Sequence, residues 1–356
     1  MDASEKVCVI GGTGFIGTVL VRKLLHRGLK VRLLCRNPNL PKSEMVSGGG
    51  DSLSIWPHPN IEIIQGDLEN HDAVRLCMKG CTYLFHLAGY AKNWASDRSV
   101  YERINIQGMR DIFSIARESG IRRTVWTSSI VTLGPTRKNE IGDENMPRIT
   151  DRYLTEYEKT KSIAEKEALQ WAAEGFPVVI VNPTRVYGPG KLTEGNALTR
   201  LIDDYDRGKA PVLLNAGVNV GNYVLVEDVA EGHLLAMEKG HLGERYILGG
   251  ENASLGEFLR TIDKISGKRH FKIPIFRPGA LVFAIAQKKR AQWFGIYPRI
   301  TPGWVRTFLV NWAYSTQKAE KELGYSPTPL WEGLTRTYHW LLDMRKKQEI
   351  HGRVFD

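Results

Sequence analysis

Four cysteines in 356 residues (Cys8, Cys35, Cys77 and Cys81) are too few and too irregularly spaced to staple a fold or cage a metal. Cys77 and Cys81 lack a second ligand pair, and Cys8 and Cys35 fall in apolar runs, where cysteine acts as a small hydrophobe. Reduced thiols in a cytoplasmic protein, with no metal, are the expectation. No apolar run approaches the roughly 20 residues that cross a bilayer; the longest, Ala280 to Ala286, stops far short. Met1 to Lys6 lead straight into an apolar run and leave no room for a signal peptide. Lysine and arginine form no long block, the densest being Lys288-Lys289-Arg290 and Arg345-Lys346-Lys347. The net charge of +10 therefore reads mainly as solvated surface, with part available to an anionic ligand, and nucleic acid is not an expected partner. Internal repeats and low-complexity tracts are missing too.

What is present starts at Val7-Cys8-Val9-Ile10, a mostly β-branched run that reads as a buried strand. It passes into Gly11-Gly12-Thr13-Gly14-Phe15-Ile16-Gly17 and then into Thr18 to Leu25, which has helical spacing. A strand, a glycine turn and a helix N-terminus make an anion site, because unpaired backbone amides and the helix dipole face one point. Gly11 suits the tight turn, Gly14 the approach of backbone to a pyrophosphate, and Gly17 the packing of helix on strand. Dinucleotide binding follows. A second strand, Lys30 to Cys35, lacks the terminal carboxylate that would hold a ribose 2′-hydroxyl. Arg36 stands there, with Arg32 inside the strand and Lys42 nearby. A guanidinium binds a 2′-phosphate bidentately, so NADP is expected over NAD.

Residues 37–60 carry four prolines and little periodicity and read as a loop. Strands at Ile61–Leu68, Thr82–Gly89, Ile121–Ser129 and Phe176–Pro183 then alternate with helices at Asn70–Lys79, Ser99–Ser119 and Tyr153–Glu174. Alternation of this kind predicts an α/β protein with a doubly wound parallel sheet, the Rossmann arrangement. Ligands bind at the C-terminal strand ends of that fold, here the glycine loop, Arg36, Asp67, Ala88, Ser129 and Pro183. Asn105 interrupts its helix and suits a bridge to backbone or water. His86 reads as a satisfied core histidine, and Trp94 as a candidate substrate wall. Residues 1–183 form the expected dinucleotide domain and 184–356 a smaller, discontinuous lobe, with the stretch around 222–250 returning to the core. Pro274 to Phe294 mixes apolar residues with Lys288, Lys289 and Arg290. A core helix with a basic end is preferred there over an amphipathic helix that touches membrane or lines a way in for an apolar substrate.

Tyr157 and Lys161 stand four apart and share a helical face. Tyrosine ordinarily ionises near 10, and a nearby ammonium lowers that value, so Tyr157 can exchange a proton with a carbonyl or alcohol oxygen. Ser129 on a neighbouring strand end can hydrogen-bond the same oxygen.

The glycine loop, Asp67-Leu68, Thr127-Ser128-Ser129, the Tyr157/Lys161 pair and Leu323-Gly324-Tyr325-Ser326-Pro327 resemble the extended short-chain dehydrogenase/reductase family. Within it the chain is similar to dihydroflavonol-4-reductase-like and hopanoid-associated sugar-epimerase-like proteins. The resemblance implies that Tyr157 is the acid/base and that Ser129, or else Ser128, orients the substrate oxygen. Lys161 would also bind the nicotinamide ribose, Asp67 and Leu68 would flank adenine, and Pro183 would border the nicotinamide. Val186-Tyr187-Gly188-Pro189-Gly190 is shared with nucleotide-sugar epimerases and dehydratases. Those enzymes carry an Arg-Asp pair, for the sugar nucleotide's diphosphate, where this chain has Gly221-Asn222. Arg185 is a candidate substitute. The expectation is an NADP-dependent oxidoreductase acting on the ketone, aldehyde or secondary alcohol of a largely apolar small molecule. A nucleotide-sugar epimerase or dehydratase with retained nicotinamide, and a non-catalytic dinucleotide sensor, are the alternatives. Peripheral membrane contact and a homodimer stay open.

Overall fold

A computed structural model describes residues 1, 5–37, 58–209, 212–298 and 300–352. Lys42 and most of the proline-rich loop lie outside the described residues. The first half of the chain runs β1 (Lys6–Ile10), α1 (Phe15–His26), β2 (Lys30–Cys35), β3 (Ile61–Gln65), α2 (His71–Met78) and β4 (Tyr83–His86). It continues with α3 (Ser99–Glu102), α4 (Gly108–Glu118), β5 (Arg123–Thr127), α5 (Glu156–Ala173) and β6 (Val178–Pro183). The second half adds β7 (Arg185–Tyr187), α6 (Ala197–Asp206), β8 (Val212–Leu214), β9 (Val220–Leu225), α7 (Val226–Lys239), β10 (Arg245–Leu248) and β11 (Glu251–Ser254). It closes with α8 (Leu255–Ser266), β12 (Ile273–Ile275), α9 (Arg277–Phe294), α10 (Pro302–Phe308), α11 (Gln317–Leu323) and α12 (Leu330–Gly352).

Seven strands pair in the order β10-β6-β5-β4-β1-β2-β3, every neighbour parallel. Parallel strands are buried on both faces, which is why β1 and β6 read as unbroken apolar runs. One face packs residues of α1, α7 and α11, and the other those of α2, α4 and α5, so the sheet is doubly wound. The order reverses between β1 and β4, and the crevice at that switch point is where such sheets hold ligands. In the stretch 222–250, α7 packs on α1 and β10 joins the large sheet beside β6. β9 instead belongs to a separate three-stranded sheet, β11-β9-β7. Asn222 ties that sheet together, donating to Gly250 and Tyr314 carbonyls at 3.0 and 3.1 Å and accepting from Thr184 and Gly250 at 2.8 Å.

Asn105 sits in a π turn (Arg103–Gln107) between α3 and α4. Its amide accepts from the Tyr90 N–H at 2.7 Å and donates to the Tyr90 carbonyl and the Thr160 hydroxyl at 3.2 and 3.0 Å, so the interruption seen in sequence is a bridge to backbone. Arg32, inside β2, turns under the sheet edge to Glu62 and the carbonyls of Leu76 and Lys79. One expectation fails: the preferred core-helix reading of Pro274–Phe294 is wrong, because α9 buries only Ala280, Ala284 and Ala291. Ala280, Ala284 and Ala291 face the core with Leu281 partly buried beside them, while Val282, Phe283, Ile285, Trp293 and Phe294 face out.

His86 and His233 lie on either side of β5, both buried. Burial lowers His86 to about 3, assisted by the Lys161 charge, and lowers His233 to about 4. His233 donates from Nδ1 to the Val229 carbonyl at 2.7 Å and meets the Thr127 hydroxyl at 2.8 Å, whereas His86 Nδ1 has no partner, so His86 is core but not satisfied. Both rings stay neutral in the fold and protonate near 6.5 in the unfolded chain, which therefore binds more protons between those values. Stability falls as pH drops from 6.5 toward 4, by up to about 1.4 kcal/mol per pH unit for each ring. His233→Gln is expected to flatten urea-unfolding stability over that window by one ring's share; an unchanged slope would show that His233 is not neutral and buried.

Candidate active site

The glycine loop is shaped by how little space surrounds it. Gly11 has φ of +91°, and a Cβ there would stand 2.5 Å from the Ala88 nitrogen. A Cβ on Gly17 would stand 2.2 Å from the Gly11 carbonyl oxygen. Gly14, the N-cap of α1, donates its N–H to Gly11 O at 3.0 Å and has no capping side chain; the first turn of α1 holds no acid. Uncapped amides and an uncompensated helix dipole facing a cleft fit a pyrophosphate.

That cleft measures ≈ 550 Å³ and is lined more by apolar than by polar atoms. Gly11, Gly14, Phe15, Ile16, Gly17, Ala88, Ser128, Ser129, Tyr157, Lys161 and Pro183 all border it. Arg36 and Asp67 meet in a separate depression with Gln65, Gly66 and Asn70, at the ends of β2 and β3. Thr13 and Leu68 border neither; Leu68 is buried against α2 and α4 residues. Trp94 is not in the wall, its ring standing edge-on to Tyr297 at 5.5 Å. Arg185, singled out in the sequence, borders the cleft, while Trp304 and Phe308 of α10, Trp312 and the segment from Thr193 to Leu201 form much of the far side and were missed. The one local signal was Trp304 and Phe308, four apart just after Pro302.

Thr155 caps α5, its hydroxyl accepting the Glu158 N–H at 3.0 Å, and so fixes Tyr157 in the first turn. Ser129 caps the short 3-10 turn Ile130–Thr132 and borders the cleft with Tyr157, while the Ser128 hydroxyl is buried without a partner among the described residues. Burial raises the Tyr157 phenol above its ordinary value, and the Ser129 hydroxyl opposes that rise. Lys161 was expected to lower it. Here the Lys161 ammonium donates instead to the Thr127 carbonyl at 2.9 Å and lies 4.2 Å over the Trp126 ring. Burial brings Lys161 itself down to about 7, against the pull of Glu165. Arg185 stacks on Phe308 at 4.3 Å and donates to Tyr223 and Thr307 at 3.4 and 3.2 Å. A Cβ on Gly221 would stand 2.8 Å from its Nη1, so the glycine at 221 leaves room for this guanidinium.

A doubly wound sheet, a glycine cradle at its switch point and a tyrosine–lysine helix beside a serine define a nucleotide-dependent enzyme of the extended short-chain dehydrogenase/reductase type. The sequence pattern of the NAD dependent epimerase/dehydratase family matches residues 7–249, and the chain belongs to that family. It is 35% identical over 341 residues to a putative dihydroflavonol 4-reductase of Synechocystis sp., covering 93% of each chain. It is 30% identical over 326 residues to sterol demethylase protein B of Methylococcus capsulatus, covering 90% of this chain and 93% of that one. Among solved structures, gox2253 superposes with a TM-score of 0.76 at 31% identity, covering 95% of this chain and 98% of the other. UDP-glucuronic acid 4-epimerase from Bacillus cereus, solved with UDP-glucuronic acid and NAD, shares the fold with a TM-score of 0.74 at 22% identity, covering 95% of this chain and 99% of the other.

Gly17→Ala is expected to destabilise the protein by about 1–3 kcal/mol in urea unfolding, the cost of forcing atoms into a filled site. Gly108→Ala, whose new Cβ would meet nothing closer than 3.5 Å, is the matched control and should be neutral or stabilising. Equal behaviour of the two variants would refute the close-approach argument.

Proposed function

We propose that the protein is an NADP-dependent oxidoreductase that reduces a ketone or aldehyde, or oxidises a secondary alcohol, of a largely apolar small molecule. The observation that carries this is that Tyr157, Ser129 and Lys161 line one mostly apolar cleft together with the glycine cradle. Hydride exchange with the substrate carbon is the chemistry a nicotinamide dinucleotide supplies when bound. Tyr157, kept protonated by burial, gives its proton to the substrate oxygen in reduction and takes one back in oxidation. Ser129 donates a hydrogen bond to the same oxygen and stabilises charge developing there. Lys161 stands one helical turn from Tyr157, and in its protonated state, released from the Thr127 carbonyl, it favours the phenolate left behind.

NADP over NAD is supported by Arg36, which stands where a carboxylate would select an unphosphorylated ribose. Relatives named as acting on sterols or aromatic substrates, such as the sterol-4-alpha-carboxylate 3-dehydrogenase of Mus musculus and the cinnamoyl-CoA reductase 1 of Petunia hybrida, fit an apolar wall built of Trp304, Phe308 and Trp312. The nucleotide-sugar alternative rests on Arg185, a cation in the cleft wall with no carboxylate partner among the described residues.

Steady consumption of NADPH with a hydrophobic ketone is expected; an enzyme that retains its nicotinamide would show none. Tyr157→Phe should lower kcat by about 10²–10⁴ while leaving NADPH affinity within about twofold, as loss of a general acid requires. Retained turnover would refute the assignment. Arg36→Asp should weaken NADPH by tenfold or more, as loss of a charge-assisted contact does, and leave NADH nearly unchanged. Equal effects on the two would remove the argument for a 2′-phosphate site.

A further inference from the structure

From Lys264 to Lys318 the chain holds eleven lysines and arginines and no aspartate or glutamate. The formal charge of this one segment exceeds the +10 of the whole protein, so the rest of the chain is close to balanced. Within it lies α9, a helix built inside out. Ala280, Ala284 and Ala291 meet the body of the protein, while Val282, Phe283, Ile285, Trp293 and Phe294 are exposed. Trp293 and Phe294 are 71% and 70% exposed, and Phe276, just before the helix, is 65% exposed. Monomeric proteins rarely leave contiguous apolar surface of this kind to water.

Spacing organises the surface. Val282, Ile285, Lys289 and Trp293 follow one another at intervals of three and four, so they form a single outward row. Phe283, Arg290 and Phe294 form the adjoining row. Lys289 lies 5.8 Å over the Trp293 ring, and the Arg290 guanidinium donates to Gln287 at 3.1 Å. None of Arg277, Lys288, Lys289 and Arg290 meets a carboxylate among the described residues. Aromatic and aliphatic side chains interleaved with unpaired cations suit a boundary that is apolar on one side and anionic at its rim. With four cations in 18 residues the helix cannot span a bilayer, and no described helix is long and apolar enough to cross one. It can lie in the headgroup plane.

We infer that the outer face of α9, with Phe276 and its cations, docks the protein on an anionic phospholipid surface. The same segment passes directly into α10, whose Trp304, Thr307 and Phe308 line the cleft. Tyr297, between the two helices, donates to the Trp94 carbonyl at 3.3 Å and so ties the segment to the loop after β4. Docking through α9 therefore holds one wall of the cleft next to lipid.

Vesicle flotation tests this with the full chain and no substrate, so its outcome is separate from that of the oxidoreductase assignment. The protein is expected to float with vesicles of equal parts phosphatidylglycerol and phosphatidylcholine, to stay behind with pure phosphatidylcholine, and to be released by high salt. Replacing Lys288, Lys289 and Arg290 together by Gln should lower partitioning by about a hundredfold, from about fivefold per charge. The double variant Trp293→Ser/Phe294→Ser should lower it by about tenfold or more. All these side chains are exposed, and an unchanged thermal unfolding midpoint checks that each variant is folded. Absence of flotation, or flotation that neither variant weakens, would overturn the inference. So would a wild-type dimer in sedimentation that the Trp293→Ser/Phe294→Ser variant dissociates, since a second copy would then cover the face.

Discussion

The architecture of the site depends on backbone approaching backbone where no side chain can stand between. At Gly11 the turn after β1 presses against the Ala88 nitrogen, and at Gly17 the first turn of α1 presses on the turn itself. These two approaches fix the distances among β1, α1 and the end of β4, and with them the mouth of the crevice at the switch point. Gly12 adds a third constraint from below, since a Cβ there would lie 2.4 Å from Leu33 on β2. The loop is clamped between two strands and its own helix. Its amides point the same way in every molecule, and that preorganisation is what an anion site requires.

Beneath the candidate catalytic residues runs a buried polar chain that hydrophobic packing alone would not predict. Tyr157, Lys161 and Glu165 recur every four residues and share one face of α5. Glu165 accepts from the Asn182 amide at 2.6 Å, the Thr132 hydroxyl at 2.9 Å and Arg245 at 3.0 Å. Asn182 in turn donates to the Ser129 carbonyl at 3.1 Å. The turn that carries Ser129 is thereby referenced to the helix that carries Tyr157, through groups water does not reach. Removing one member of such a buried network leaves another unpaired, so the arrangement resists piecemeal change.

Much of this was legible in the chain. Sheet strands buried on both faces are continuous apolar runs, and the expected bounds of β2 coincide with those observed, while those of β6 differ only at the first two residues. Asn105 was visible because an amide in an apolar helical pattern needs a partner. Three features were not legible, each for a physical reason. The aromatic part of the far wall, Trp304, Phe308 and Trp312, comes from residues more than a hundred positions after Tyr157, and local periodicity carries no information on that closure. Arg32 looks the same in sequence whether it turns to solvent phosphate or to Glu62 beneath the sheet edge. An apolar helix looks the same whether its large residues face in or out; only the alanines at 280, 284 and 291, at spacings of four and seven, hinted that small residues face the core.

The state of Lys161 has a wider consequence. Its ammonium is enclosed and brought to about 7, so near neutrality the ligand-free protein is a mixture of two charge states at this one nitrogen. Any ligand that offers Nζ an acceptor better than the Thr127 carbonyl stabilises the charged state and must draw a proton from solvent as it binds. Affinity and proton uptake are then two measures of one equilibrium: at pH values above that of the free lysine, each further unit of alkalinity weakens binding by up to about tenfold. The cleft behaves as a proton sink coupled to occupancy, before any bond in a substrate is made or broken.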